Sequence, residues 1–151
     1  MIIDVEPSDP RVPKALYLLN QSHKLMSELY PSDSNHFLSI DALAAPKVTF
    51  VVGKIKNDIV GCGAILKCHD YTEVKSMFTD PIARGQKVAD QILIYLISLS
   101  KELGFKQMYL ETGIGLDAAH YLYKKHGFSF CKPFGKYTED PLSVCMHKIL
   151  K

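Results

Sequence analysis

Tryptophan is absent from this chain, and so is any apolar run long enough to cross a bilayer. The longest greasy stretch, Ile92 to Leu99, is interrupted by Ser98 and falls far short of the ~20 residues a spanning helix needs. Neither sign of charge dominates: 18 Lys and Arg stand against 16 Asp and Glu, a formal charge of +2. Such a balance supplies no global field for gripping a nucleic-acid backbone or an anionic membrane, so neither partner is expected and any anion site must be built locally. Cysteine is sparse. Cys62, Cys68, Cys131 and Cys145 form no CxxC pair and lie near no histidines at zinc-ligand spacing, so no metal site is expected. Three of them sit in apolar stretches, where a thiol behaves as a small hydrophobe. The first residues, Met1-Ile2-Ile3-Asp4-Val5-Glu6, lack the basic-then-apolar pattern of a secretory leader. A reducing, cytoplasmic setting with unpaired thiols is the expectation.

What is present is an ordinary globular composition. Hydrophobic residues make up 47% and charged residues 23%, which sets aside disorder, collagen-like repeats and coiled coil. A length of 151 residues suits one domain, read here as 1–151. Such a chain hides about 70% of the surface its unfolded form exposes, enough for a sizeable core.

Periodicity places the elements. Ile2 to Glu6 reads as a short strand, and Val12 to Tyr30 as a helix with Pro13 in its first turn and Pro31 at its end. Pro31-Ser32-Asp33-Ser34-Asn35 is a polar turn, and a short helix follows to about Ala45. Val48 to Val52 and Ile59 to Leu66 form a hairpin closed near Asn57-Asp58. Gly61 and Gly63 inside it signal a bulge or a close backbone approach. Tyr71 to Thr79 is a third strand whose odd positions, Tyr71, Glu73, Lys75 and Met77, share one face unless a bulge intervenes. Arg84 to Leu103 is helical and apolar nearly all round, hence buried on a sheet. Gln107 to Glu111 is a strand, Leu116 to His126 an amphipathic helix stopped by Gly127, and Phe128 to Cys131 and Val144 to Ile149 the closing strands. The order β–α–α–β–β–β–α–β–α–β–β predicts a mixed sheet with helices on both faces, an α/β or α+β layer architecture.

The most informative segment runs from Met77 to Ala89. A strand ends at Asp80-Pro81, and a long apolar helix then opens with Arg84-Gly85-Gln86-Lys87. The first amides of a helix have no partners within it, and its dipole makes that end positive. Arg84 and Lys87 oppose that dipole, so they need a reason; an anion ligand supplies one. At this level phosphate, nucleotide and CoA stand equal.

Arg84-Gly85-Gln86-Lys87-Val88-Ala89 after a strand and a proline turn resembles the acyl-CoA signature Gln/Arg-x-x-Gly-x-Gly/Ala of the GNAT superfamily of N-acetyltransferases, whose loop amides hold the CoA pyrophosphate. Ala119-His120-Tyr121-Leu122-Tyr123-Lys124-Lys125-His126-Gly127-Phe128 is similar to the family's A-x-x-L-Y-x-x-x-G-F. The tail Cys131 to Ser143, with Leu110-Glu111-Thr112-Gly113, is similar to a bacterial subgroup of poorly defined substrate. Two positions depart from the pattern: Lys87 stands where the signature has its inner glycine, and Leu116 where an Asn often starts the second motif.

The resemblance implies a mostly antiparallel mixed sheet flanked by helices on both faces, and an enzyme moving acetyl from acetyl-CoA to a primary amine of a small molecule or peptide by direct attack in a ternary complex. A homodimer would accord with it, since dimers are common among relatives. It implies CoA contacts at Arg84, Gly85, Gln86, Lys87, Val88 and Ala89, with the backbone of Met77 and Thr79 binding pantetheine. Tyr123 aligns with the tyrosine that meets the CoA sulfur as general acid. Glu73, six residues before Thr79, has the spacing of the glutamate base in some members. Acceptor-pocket candidates are His36, Glu111, Phe134 and Tyr137; the loop Pro133 to Asp140 mixes aromatics with an acidic end suited to a small cation. The competing expectation is a non-catalytic CoA-sensing or interaction domain on the same scaffold.

Overall fold

The computed structural model describes residues 1–151, with β1 (Asp4–Pro7), α1 (Pro13–Leu29), α2 (Ile40–Leu43), β2 (Val48–Ile55), β3 (Asp58–Lys67), β4 (Thr72–Thr79), α3 (Val88–Glu102), β5 (Gln107–Gly113), α4 (Asp117–Lys125), β6 (Ser129–Cys131) and β7 (Ser143–Ile149). Single 3₁₀ turns occupy Ser32–Ser34 and Pro81–Ala83. The seven strands form one mixed sheet in the order β1-β2-β3-β4-β5-β7-β6. Every neighbouring pair is antiparallel except β4 and β5. No helix is long and apolar enough to cross a membrane.

The hairpin β2–β3 turns at Lys56 and Asn57, whose φ values of 50° and 66° are both left-handed. Two positive φ values give the turn the twist that antiparallel strands need, and Asn tolerates that conformation. α3 packs on one face of the sheet around Val51, Ile65, Ile92, Leu96, Met108 and Met146. α1 and α2 cover the other face around Leu19, Leu43, Phe50, Val52 and Ala64. Each large side chain fully buried in these layers contributes about 1.5–3 kcal/mol.

Gly61 and Gly63 are explained by the proximity of α3. A Cβ on Gly61 would lie 2.7 Å from Val88 Cγ1, and one on Gly63 2.8 Å from Ile92 Cγ2 and 2.6 Å from Met77 Sδ. The helix therefore sits directly on β3 backbone. Both expected explanations hold, because a bulge also occurs here: Cys62 pairs with Phe78 and Ala64 with Lys75, so Gly63 faces both Ser76 and Met77.

Two sequence expectations are corrected. First, the bulge at Ser76 (φ 58°) breaks the alternation along β4. Val74 and Met77 pack with the α3 layer, whereas Phe78 packs with the α1 layer and Lys75 is bonded to the carbonyl of His36. Met77 and Glu73 thus do not share a face. Second, α3 begins at Val88 and not at Arg84. Gly85 (φ 82°) and Lys87 (φ 68°) are both left-handed, which a right-handed helix cannot accommodate. Arg84 to Lys87 is a loop that leads into the helix.

Candidate functional site

β4 and β5 pair in parallel over three rungs only, Thr72 to Val74 against Met108 to Leu110. Beyond Val74 and Leu110 nothing joins the two strands. Between them lies a cavity of about 170 Å³, walled by Met77 and Phe78 on one side and Glu111 to Gly113 on the other. Met26 and Tyr30 from the end of α1, and Ala119 and Tyr123 from α4, complete it. The Tyr30 hydroxyl donates to the Ile114 carbonyl at 2.7 Å and fastens the end of α1 over the end of β5. Gly113 permits that crossing, because a Cβ there would collide with the Tyr30 ring.

Past the end of β4 the chain forms an amide cradle. The backbone N–H groups of Gly85, Gln86, Lys87, Val88, Ala89 and Asp90 have no acceptor within the chain; the ladder of α3 starts with Gln91 donating to Lys87. A run of exposed donors at a helix N-terminus is a ready anion site. The left-handed Gly85 and Lys87 re-aim successive amides, and a Cβ at Gly85 would meet nothing within 4 Å, so the approach is open. Arg84 Nε donates to the Thr79 carbonyl at 3.3 Å, and its guanidinium lies 5.5 Å from the Phe78 ring centre. Arg84 is thereby held at the junction of β4 and the cradle. Val88 is buried beneath the loop and anchors it. This donor set fits a pyrophosphate.

Tyr123 is 7% exposed and lines the cavity. Phe128 fixes it: the Phe128 amide donates to the Tyr123 carbonyl at 3.0 Å, and the two rings meet edge to face at 5.9 Å. The Tyr123 hydroxyl has no hydrogen-bond partner in the chain, and burial holds its pKa well above the ordinary phenol range. It keeps its proton at neutral pH.

Two carboxylates stand near one another in different surroundings. Glu111 lines the cavity and accepts from Ser143 Oγ at 2.7 Å. Burial raises its pKa, opposed by the Ser143 bond and the charges of His36 and Lys75 and reinforced by the charge of Glu73. Glu73 is 5% exposed and does not line the cavity. It accepts from the Tyr137 hydroxyl at 2.5 Å and from Lys75 Nζ at 3.1 Å. Burial, then the Glu73 charge, pushes the Tyr137 phenol far above its usual range. No group of three His, Cys, Asp or Glu side chains is arranged to hold a metal.

The sequence profile of the Acetyltransferase (GNAT) family matches residues 16–128. The chain is a GNAT acetyltransferase. Its relatives include the IAA acetyltransferase of Azospirillum brasilense, 35% identical over 98% of both chains. A Klebsiella pneumoniae protein described as an acyl-CoA N-acyltransferase superposes with a TM-score of 0.83 at 27% identity, covering 99% of each chain. The PaiA N-acetyltransferase of Thermoplasma acidophilum, solved with coenzyme A, shares the fold with a TM-score of 0.75 at 14% identity over 99% of each chain. The acetyltransferase is an acyl-CoA-dependent enzyme, and its seven-stranded, mostly antiparallel sheet is the expected architecture.

Of the residues singled out in the sequence, the acetyltransferase brings Met77, Tyr123, Glu111 and His36 to one cavity. Gly85 to Ala89 form most of the cradle. Glu73 and Tyr137 sit behind the cavity wall as a bonded pair. Phe134 lies outside, stacked on Tyr109 at 4.6 Å and tilted against Tyr137 at 4.8 Å, in the role of a core-covering connector ring. The pairing of Glu73 with Lys75, one reading its position on β4 allows, is present at 3.1 Å, while two contributors escaped the sequence reading: Tyr30 and Gly113. Only the aromatic end of α1 beside Pro31 hinted at the first of these.

Proposed function

We propose that this acetyltransferase carries acetyl from acetyl-CoA directly to a primary amine in a ternary complex, with Glu111 as proton acceptor and Tyr123 as proton donor. The pyrophosphate lies on the amides of Gly85 to Asp90 with Arg84 and Lys87 beside it, and the pantetheine arm runs along Met77 to Thr79, where β4 lacks a strand partner. Glu111, its pKa raised by burial, takes a proton from the acceptor ammonium. The free amine attacks the thioester carbonyl, whose developing charge is met by a backbone amide near Met77. The carbon–sulfur bond breaks, Tyr123 passes its proton to the departing thiolate, and the proton left on the new amide nitrogen is returned to Tyr123. Glu73 fits the base role less well than its spacing suggests, because Lys75 and Tyr137 occupy it and it lies off the cavity.

The observation that carries this reading is the unpaired amide run at the end of the β4 wall, in the same molecule as a buried, unpartnered Tyr123. The test is free-thiol release from acetyl-CoA across a panel of primary amines, with IAA, which is not an amine, run beside them because it appears in the name of the Azospirillum relative. The competing reading, a CoA-sensing module, is favoured by Lys87 at the glycine position and by Leu116, which offers α4 no side-chain cap. It predicts that CoA raises the melting temperature while no acceptor releases thiol.

A further inference from the structure

Two chain segments meet at one side of the cavity, the first lining it with Ser34 and His36 and the second standing behind its wall. One joins α1 to α2 and contains Ser34 and His36; the other joins β6 to β7 and contains Tyr137 and Asp140. They are tied together. Ser34 Oγ donates to Asp140 Oδ2 at 2.7 Å. The Lys75 ammonium donates to the His36 carbonyl at 3.0 Å, to the Tyr137 hydroxyl at 2.9 Å and to Glu73 at 3.1 Å. All three of its protons are therefore engaged, one on each segment and one on β4. The His36 ring also meets Tyr137 edge to face at 5.1 Å. The side chains of Lys75 and Glu73 are 9% and 6% exposed, so the bonds Lys75 makes to Glu73 and Tyr137 are largely shielded from water, where charge-assisted bonds are strongest.

A polypeptide acceptor needs an open trench, since the residues behind its terminal amine must leave the site. The ties hold the Ser34–His36 rim in place and resist its opening into one. The whole cavity is about 170 Å³, below the ~300–1,000 Å³ usual for drug-sized ligands, and the acyl end of the cofactor would share it. Met26, Phe37 and Met77 give it apolar walls, and Glu111 is its one lining carboxylate. Resting on the acyl-transfer reading above, we infer that the acceptor is a small primary amine with an apolar body, and that the Ser34–Asp140 and Lys75 ties exclude peptide N-termini.

The experiment compares phenethylamine with an unblocked tripeptide as acceptors, reading thiol release from acetyl-CoA. The expected result is a kcat/KM for the amine at least about tenfold above that for the peptide. Ser34→Ala deletes one tie from a partly exposed position and should raise the peptide-to-amine ratio by about tenfold, the worth of one hydrogen bond to a charged group. Ser34→Thr, which keeps the hydroxyl, should restore the ratio. Tyr137→Phe, which keeps the ring but drops two bonds, should shift it in the same direction as Ser34→Ala. Equal or better turnover of the peptide by the unmodified enzyme overturns the inference, as does a ratio that neither variant moves. CoA-induced thermal stabilisation with no thiol release from phenethylamine also overturns it, leaving the cradle intact; loss of that stabilisation removes the underlying reading as well.

Discussion

Gly61→Ala tests the link between packing and the CoA cradle. The added methyl would stand 2.7 Å from Val88 Cγ1, 3.1 Å from Ile92 Cδ1 and 3.3 Å from the Phe78 carbonyl oxygen. None of these can yield cheaply. Val88 and Ile92 are 1% and 0% exposed, and β-branched side chains in a helix hold one rotamer. Restoring ordinary contact requires the start of α3 to lift by most of an ångström. Overpacking of this kind costs about 1–3 kcal/mol. At roughly 2–4 °C per kcal/mol for a chain of this length, the melting temperature should fall by about 2–12 °C. The same lift moves the Val88 amide, a member of the cradle. Losing one well-aimed bond to a phosphate costs about 1.5–3 kcal/mol, so CoA affinity should drop at least about tenfold. Gly104→Ala is the control. Its φ of 89° makes alanine strained, yet a Cβ there meets nothing within 4 Å. It should lower the melting temperature and leave CoA affinity alone. Calorimetric titration with CoA and thermal melts of both variants decide the matter. If Gly61→Ala bound CoA as tightly as the parent, helix seating would not set the cradle.

Tyr123→Phe should cut turnover by about 10²-fold or more while CoA binding and melting temperature hold steady, because the lost hydroxyl has no partner in the chain; undiminished turnover would remove Tyr123 from the proton path. Glu111→Gln should abolish the rise of kcat/KM with pH, which in the parent climbs through a midpoint above the ordinary glutamate range because the base must be deprotonated. A raised folded-state pKa favours the neutral carboxyl, so its stabilising contribution is present at acid pH and lost as pH rises through that value. The Gln variant should accordingly melt higher than the parent at neutral pH and equally at acid pH; the opposite order in thermal melts would refute the assignment. Glu73→Gln, by contrast, should keep the pH-dependent rise. Ser76→Gly should raise the melting temperature, since it relieves a left-handed φ of 58° and removes a buried hydroxyl without a partner; a lower melting temperature would refute that account.

Much of this architecture was legible because punctuation residues bracket it. Pro13 and Pro31 bound α1 to within a residue, Asn57 marks the hairpin, and Gly61 and Gly63 announce the seat of α3. The anion cradle was legible in outline from Arg84 to Lys87, but its true geometry was hidden, since Gln86 and Lys87 suit a helix and the signature's glycine at the Lys87 position is the one sign that Lys87 is left-handed. The bulge in β4 was silent for the same reason: Lys-Ser-Met carries no glycine, so the pattern predicted unbroken alternation and put Met77 with Glu73. The environment of Glu73 depends on Tyr137, 64 residues away, and no short-range signal reports a partner at that distance. Sequence spacing marked a carboxylate on β4; in three dimensions Lys75 and Tyr137 bond to it, while Glu111 faces the cavity.

The parallel seam has a mechanical consequence. With only Thr72 to Val74 stitched to Met108 to Leu110, and the buried Thr72–Ser100 hydroxyl bond beside them at 2.8 Å, the sheet is two plates sharing a short hinge. The plate of β5, β7 and β6 is therefore expected to breathe against the plate of β1 to β4. A ligand lying in the gap would act as a clasp, so amide hydrogens along the free stretch of β4 should exchange rapidly in the empty protein and slowly once the gap is filled.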